Sequence, residues 1–269
     1  MNWSKNHSSH APNLPLMPPP SSFPATLSPD NCPKQAVILA GGLGTRLQSV
    51  VADLPKPMAP VAGKPFLAWL LDRVATFNIQ NVTLAVGYKH EAISQYFGDQ
   101  YGHIHLSYSI ENEPLGTGGA IKKALQESTM QTRTTPPSPI FVLNGDTLFT
   151  ANLYSLYAAF AHTRADLAIA LCPMTNFDRY GTIEIDEDNH IKAFHEKKQT
   201  PLGFINGGIY LLKPDLLDNM PTKFSFENDF LAPHLNTPQW IGYVADKDAY
   251  FIDIGIPYDY RKAQHDFSL

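Results

Sequence analysis

Ala36-Val37-Ile38-Leu39-Ala40-Gly41-Gly42-Leu43-Gly44-Thr45-Arg46-Leu47 is the stretch on which the fold turns. Its first four residues have the composition of a short strand buried on both faces, as in a parallel sheet. A glycine turn and a polar stretch follow. Without a Cβ, glycine lets backbone N–H groups approach a ligand closely, and successive N–H groups form a concavity that attracts anions. Pro55-Lys56-Pro57-Met58 begins nine residues after Arg46. Two cations beside a glycine loop suit a polyphosphate, so the segment predicts a nucleoside triphosphate site.

The letters exclude two other glycine loops. No Gly-x4-Gly-Lys-Ser/Thr string occurs, which removes a Walker loop. Gly42-x-Gly44 is followed by Thr45-Arg46-Leu47, so the third glycine of a dinucleotide fingerprint is missing. A strand-to-helix turn with no ligand fits the glycines alone; Arg46 and Lys56 at their spacing favour phosphate.

The 269 residues suffice for one large domain, and they are 43% apolar and 17% charged. A net charge of -5 argues against a nucleic-acid binder held by phosphate contacts, so any phosphate site is local. Two cysteines, Cys32 and Cys172, offer neither a disulfide framework nor zinc spacing and suit a reducing compartment. The ten histidines are scattered without ligand spacing. No apolar run reaches membrane-spanning length. Residues 1–33, rich in Pro, Ser and Asn, lack a signal-peptide core and read as a disordered leader. The expectation is a cytoplasmic protein with one domain over residues 34–269.

From Gln35 onward apolar strands alternate with amphipathic helices, the pattern of an α/β sheet with crossover helices. Phe66, Leu67, Leu70, Leu71, Val74 and Phe77 recur at helical spacing. Strands are predicted at 82–86, 103–110 and 140–143, and helices at 91–97 and from 116 through 126. Residues 128–139 read as an exposed loop. Further strands are predicted at 167–171, 182–185, 191–195 and 207–212, with a last helix at 258–267.

In open parallel sheets ligands sit beyond the carboxyl ends of strands. The glycine loop after Leu39 and Asp146 after Leu143 then share one edge. Asp146 and Asp253 each follow an apolar run, a position where paired carboxylates with substrate phosphates hold Mg²⁺. A lone aspartate there also serves in capping or turn formation.

Gly41-Gly42-Leu43-Gly44-Thr45-Arg46-Leu47, Pro55-Lys56-Pro57-Met58, Glu113-Pro114-Leu115-Gly116-Thr117-Gly118-Gly119, Asn144-Gly145-Asp146 and Asp253-Ile254-Gly255-Ile256-Pro257 resemble the sugar-1-phosphate nucleotidyltransferases. The match is ordered along residues 35 to 265. The resemblance implies a Rossmann-like three-layer α/β sandwich with a mixed, mainly parallel central sheet and a small sugar-side lobe. It implies a nucleotide held by Leu39, Ala40, Gly41, Gly42, Gly44, Thr45, Arg46, Lys56, Glu113, Gly116, Thr117 and Gly118. Arg46 would sit on the triphosphate, and Lys56 would neutralise the α-phosphate; with Asp146 they form the implied catalytic set. Asp146 and Asp253 would hold Mg²⁺. Gly145, Asp146, Gly181, Glu196, Lys197 and Asn206 would receive the sugar phosphate.

Thr45-Arg46-Leu47-Gln48-Ser49-Val50-Val51, Pro57-Met58-Ala59-Pro60-Val61 and Val86-Gly87-Tyr88-Lys89-His90 are most similar to the D-glycero-α-D-manno-heptose 1-phosphate guanylyltransferase branch. That branch makes GDP-heptose for surface glycans such as lipopolysaccharide, capsule and S-layer. The implied reaction moves GMP from GTP to the heptose 1-phosphate and releases pyrophosphate. Mannose 1-phosphate with GTP, an amino-sugar 1-phosphate with UTP, and a non-catalytic sugar-nucleotide sensor remain alternatives. Glu113 could pair with guanine or be an ordinary loop residue. One departure is Ile256, where the family often has Thr. A homodimer is compatible with the sequence, which has no feature that sets the assembly.

Overall fold

The computed structural model describes residues 29–42, 47, 51, 54–132, 138–235 and 237–268. The leader expectation falls mostly on residues 1–28, outside the described residues; Pro29–Asn31 form a 3-10 turn and Cys32 is buried in the core.

β1 (Gln35–Leu39) lies in the middle of the main sheet, with parallel partners on both sides. Its residues are apolar on both faces because both faces are covered. After the short hairpin of β2 (Pro60–Val61) and β3 (Lys64–Pro65) comes α1 (Phe66–Ala75). β4 (Asn81–Val86) pairs with β1 in register Ala36 to Val82. α2 (His90–Phe97), β5 (Gln100–Tyr101), β6 (Ile104–Ile110) and α3 (Gly116–Thr132) follow, with β6 parallel to β4. β7 (Ile140–Asn144) then returns to the other side of β1.

β8 (Thr147–Phe149) and α4 (Leu153–Thr163) lead into the second half, where β9 (Leu167–Phe177), β10 (Thr182–Ile185), β11 (Ile191–His195) and β12 (Thr200–Leu212) are antiparallel neighbours. β12 also runs antiparallel to β7 and so joins the two halves. β13 (Trp240–Val244) pairs parallel to β9, β14 (Phe251–Asp253) pairs with β8, and α5 (Pro257–Asp266) closes the described fold. The strand order through the site is β12-β7-β1-β4-β6.

The alternation along β1 defines the layers. Ala36 and Ile38 pack with residues of α1, α2, α4 and α5 in one core, whereas Val37 packs with Ala120, Ile121 and Ala124 of α3 in the other. The result is a three-layer α/β sandwich with a mixed, mainly parallel central sheet, as the sequence predicts.

Two expectations need correction. α3 does not stop near Gln126 but runs to Thr132, so 128–132 are not loop. Ser128 is buried there because its hydroxyl has partners, the Ala124 carbonyl oxygen at 2.7 Å and Thr83 Oγ1 at 2.7 Å. Residues 133–137 lie outside the described residues. β9 and β12 also extend beyond 167–171 and 207–212, continuing as a pair to Phe177 opposite Thr200. Those outer portions mix apolar residues with Pro, Thr, Gly and Asn, so no continuous apolar run marks them. Among the described residues no helix is long and apolar enough to cross a membrane.

Candidate active site

The site is built where β7 ends. The Gly145 N–H donates to the Leu39 carbonyl at 2.9 Å, which ties the end of β7 to the end of β1. A Cβ on Gly145 would lie 2.2 Å from that oxygen, so only glycine permits the approach. Asp146 follows at once. β8 then pairs with β14 so that Thr147 faces Asp253, and the Ile254 N–H donates to the Asp146 carbonyl at 3.0 Å. Two three-residue strands thus bring together carboxylates from distant parts of the chain.

Lys56 completes the cluster. It opens a 3-10 turn, Lys56–Met58, preceded by extended Pro55. Its ammonium lies 2.5 Å from Asp146 Oδ2 and 3.6 Å from Asp253 Oδ1. Burial, then the Asp146 charge, pushes the Asp253 carboxyl above its ordinary range. Lys56, the Gly255 N–H at 2.7 Å and Arg179 oppose that rise. Arg179 is itself held by Asp259 at 2.5 Å, on the first turn of α5.

A cleft of about 810 Å³ opens along the strand ends. At the β6 end it is lined by Glu111, Asn112 and Glu113; at the β4 and β1 ends by Tyr88, Gly87, Gly41 and Gly42. At the β7 and β12 end it is lined by Lys56, Asp146, Tyr210 and Glu227. Glu111 is half-buried and its Oε2 accepts the Leu115 N–H at 2.9 Å. Burial raises its pKa, against the Leu115 N–H and the Lys123 charge. The cleft thus brings the glycines that follow β1 and a lysine–dicarboxylate cluster to the same edge of the sheet.

Residues 35–268 match the family described as Nucleotidyl transferase. The chain belongs to the nucleotidyl transferase family. It is 47% identical over 232 residues to the D-glycero-alpha-D-manno-heptose 1-phosphate guanylyltransferase of Aneurinibacillus thermoaerophilus, covering 86% of this chain and 96% of that one. The enzyme of the same name from Campylobacter jejuni is 44% identical over 228 residues, covering 84% of this chain and 96% of that one. The crystal structure of HddC from Yersinia pseudotuberculosis complexed with GMP-PN superposes with a TM-score of 0.74 at 40% identity, covering 87% of this chain and all of that one (100%).

Within this nucleotidyl transferase fold, Leu39, Gly41, Gly42, Lys56, Glu113, Gly116, Thr117, Gly145 and Asp146 all line the cleft. Ala40 is buried beneath it, its N–H donating to the Ala85 carbonyl at 2.7 Å. Gly118 lies under the Phe224 ring, and its N–H donates to the Phe224 carbonyl at 3.0 Å. Gly44, Thr45 and Arg46 are outside the described residues. Asn206 stands behind the wall, donating to the Tyr210 hydroxyl at 2.7 Å and accepting the Gly208 N–H at 2.9 Å. Gly181 backs onto the His195 carbonyl, while Glu196 and Lys197 are exposed and do not line the cleft.

Four residues of this neighbourhood are not singled out by the sequence: Glu111, Arg179, Tyr210 and Glu227. Glu111 precedes the glycine-rich segment by two positions beyond Glu113, so its proximity was readable. Ser225 before Glu227 has the form of a helix cap and does cap, accepting the Asn228 N–H at 3.2 Å. That signal finds the turn but not the cleft it faces.

Proposed function

We propose that this nucleotidyl transferase moves GMP from GTP to D-glycero-α-D-manno-heptose 1-phosphate, giving GDP-heptose and pyrophosphate. The observation that carries the chemistry is Lys56 set against both Asp146 and Asp253 at the cleft wall. The likeness to two heptose 1-phosphate guanylyltransferases over most of their length supports the choice of base and sugar.

The sugar 1-phosphate is already ionised near neutral pH, so its attack on the nucleotide α-phosphorus needs no general base. A phosphate oxygen attacks in line, the new P–O bond forms, and pyrophosphate leaves with the electron pair of the broken bond. The work of the protein is positioning and charge stabilisation. Lys56 would meet the α-phosphate as its equatorial oxygens gather charge. The glycine loop, with Arg46, would hold the triphosphate. Asp146 and Asp253 present hard oxygen donors in the pairing that Mg²⁺ accepts alongside phosphates and water, and the ion would neutralise phosphate oxygens and pyrophosphate. The triphosphate substrate and two buried free cysteines support a cytoplasmic setting.

The test is pyrophosphate release from purified protein with Mg²⁺, each of GTP, ATP, CTP and UTP, and a panel of sugar 1-phosphates. We expect turnover with GTP and the heptose 1-phosphate. A preference for UTP would overturn the base assignment. Silence across the panel with nucleotide binding intact would replace the enzyme by a sensor.

A further inference from the structure

We propose that Glu227 binds the hydroxyl groups of the acceptor sugar and thereby sets acceptor specificity; this rests on the transfer reading above. Glu227 lines the cleft together with Asp146 and with Tyr210 of β12. The glycine loop follows β1, with β4 and β6 beyond it on one side, whereas β7 and then β12 lie on the other. Tyr210 touches Phe226, the residue before Glu227, edge-on at 5.1 Å between ring centroids, and the charges of Asp146 and Lys197 both reach the Glu227 carboxylate.

The turn that carries it is fixed. The Phe226 N–H donates to Thr117 Oγ1 at 2.9 Å, and the Ser225 N–H donates to Asp229 Oδ2 at 2.7 Å. Phe226 is buried and stacks on Phe230. Glu227 therefore enters the cleft from a rigid base, as a specificity residue requires.

Its carboxylate has no hydrogen bond or ion pair among the described residues. The charges that act on it are Asp146, which repels it, and Lys197, which attracts it. Lys56 is committed to Asp146 and Asp253. Glu227 is exposed within the open cleft, yet the surrounding protein and Asp146 both raise its pKa. A carboxylate in that position accepts hydrogen bonds and lacks a donor. A second phosphate would add repulsion; a polyol supplies several O–H donors and no charge. Glu196, the acid that sequence resemblance assigns to the sugar, is exposed and does not line the cleft.

The experiment compares wild type, Glu227→Gln, Glu227→Asp and Glu196→Gln by steady-state kinetics, varying GTP, heptose 1-phosphate and Mg²⁺ separately. Melting temperatures establish that each variant is folded. Losing a charge-assisted hydrogen bond predicts a KM for the sugar phosphate raised about tenfold or more in Glu227→Gln. We expect the GTP KM and the Mg²⁺ half-saturation to stay within about twofold, and 6- or 7-deoxy acceptors to lose their disadvantage in the variant. Titration calorimetry of heptose 1-phosphate with GMP-PN present gives a readout independent of turnover. An unchanged sugar KM in an active, folded Glu227→Gln protein overturns the proposal alone. A raised Mg²⁺ requirement or GTP KM instead overturns it in favour of a metal or nucleotide role. A wild-type protein inactive on every sugar 1-phosphate sinks the transfer reading and this role together.

Discussion

The Lys56 ammonium bridges two carboxylates, 2.5 Å from Asp146 Oδ2 and 3.6 Å from Asp253 Oδ1. Only 13% of its side chain is exposed, so it is a fixed charge rather than a mobile surface one. Its position beside both acids makes it the group that would meet charge developing on a transferring phosphate. Lys56→Ala is therefore expected to lower kcat by about 10²–10³-fold while changing either KM much less. Steady-state kinetics decide the point: an unchanged kcat would remove Lys56 from the chemistry.

Asp253 offers a separable test. It ends β14 opposite Thr147 and lies 3.6 Å from the Lys56 ammonium, whereas Asp146 holds that ammonium at the shorter distance of 2.5 Å. Asp253→Asn keeps the shape and removes the charge. We expect the Mg²⁺ concentration for half-maximal rate to rise at least about tenfold, with partial recovery at high Mg²⁺, a scale that even outer-sphere partners of metal ligands reach. A Mg²⁺ titration superimposable on wild type would show that Asp253 holds no metal.

Much of this arrangement is legible in the sequence, for physical reasons that also mark the limits. The runs at 36–39, 82–86 and 140–143 are apolar on both faces, which only a covered parallel strand requires. α1 shows its buried face at helical spacing. α4 is harder to read, because Tyr154 and Tyr157 interrupt the polar face that would reveal its period. β9 and β12 are legible only along their continuous apolar runs; outside them Pro, Thr, Gly and Asn break the run, although Phe177 and Ile205 stay in the core. Lys56, Asp146 and Asp253 stand out by their local strings. Their meeting depends on the β8–β14 pair, three residues in each strand, which no periodicity announces. Glu227 reaches the cleft only through tertiary packing on Tyr210 and Thr117, so no local pattern places it.

The glycines near the site serve different ends, and substitution separates them. Gly145→Ala would set a Cβ 2.2 Å from the Leu39 carbonyl oxygen, against backbone that cannot swing away. A loss of about 1–3 kcal/mol of stability is expected from such overpacking. Gly42, on the cleft lining, has nothing within 4 Å of an added Cβ. Gly42→Ala is expected to keep stability within about 0.5 kcal/mol and to register in the GTP KM instead. Urea denaturation of both variants checks this, and equal stabilities would contradict the close contact at Gly145.

Glu111 carries a pH signature. Burial holds its carboxyl above the ordinary 4.5, although the Leu115 N–H and Lys123 pull the other way. In the folded protein it keeps its proton to a higher pH than in the unfolded chain. Between those two values the native state binds more protons, so stability falls as pH rises through the folded value. The contribution is full below the unfolded value and is lost above the folded one. Glu111→Gln retains an oxygen that can accept the Leu115 N–H at the same place but has no proton to lose. The stability of Glu111→Gln relative to wild type should therefore climb as pH is raised from about 4.5 and then level off once the pH exceeds the folded value. Paired urea denaturation series across that range measure the difference directly. A difference that is flat, or that falls with pH, would show that the ionised carboxylate is the form the fold favours.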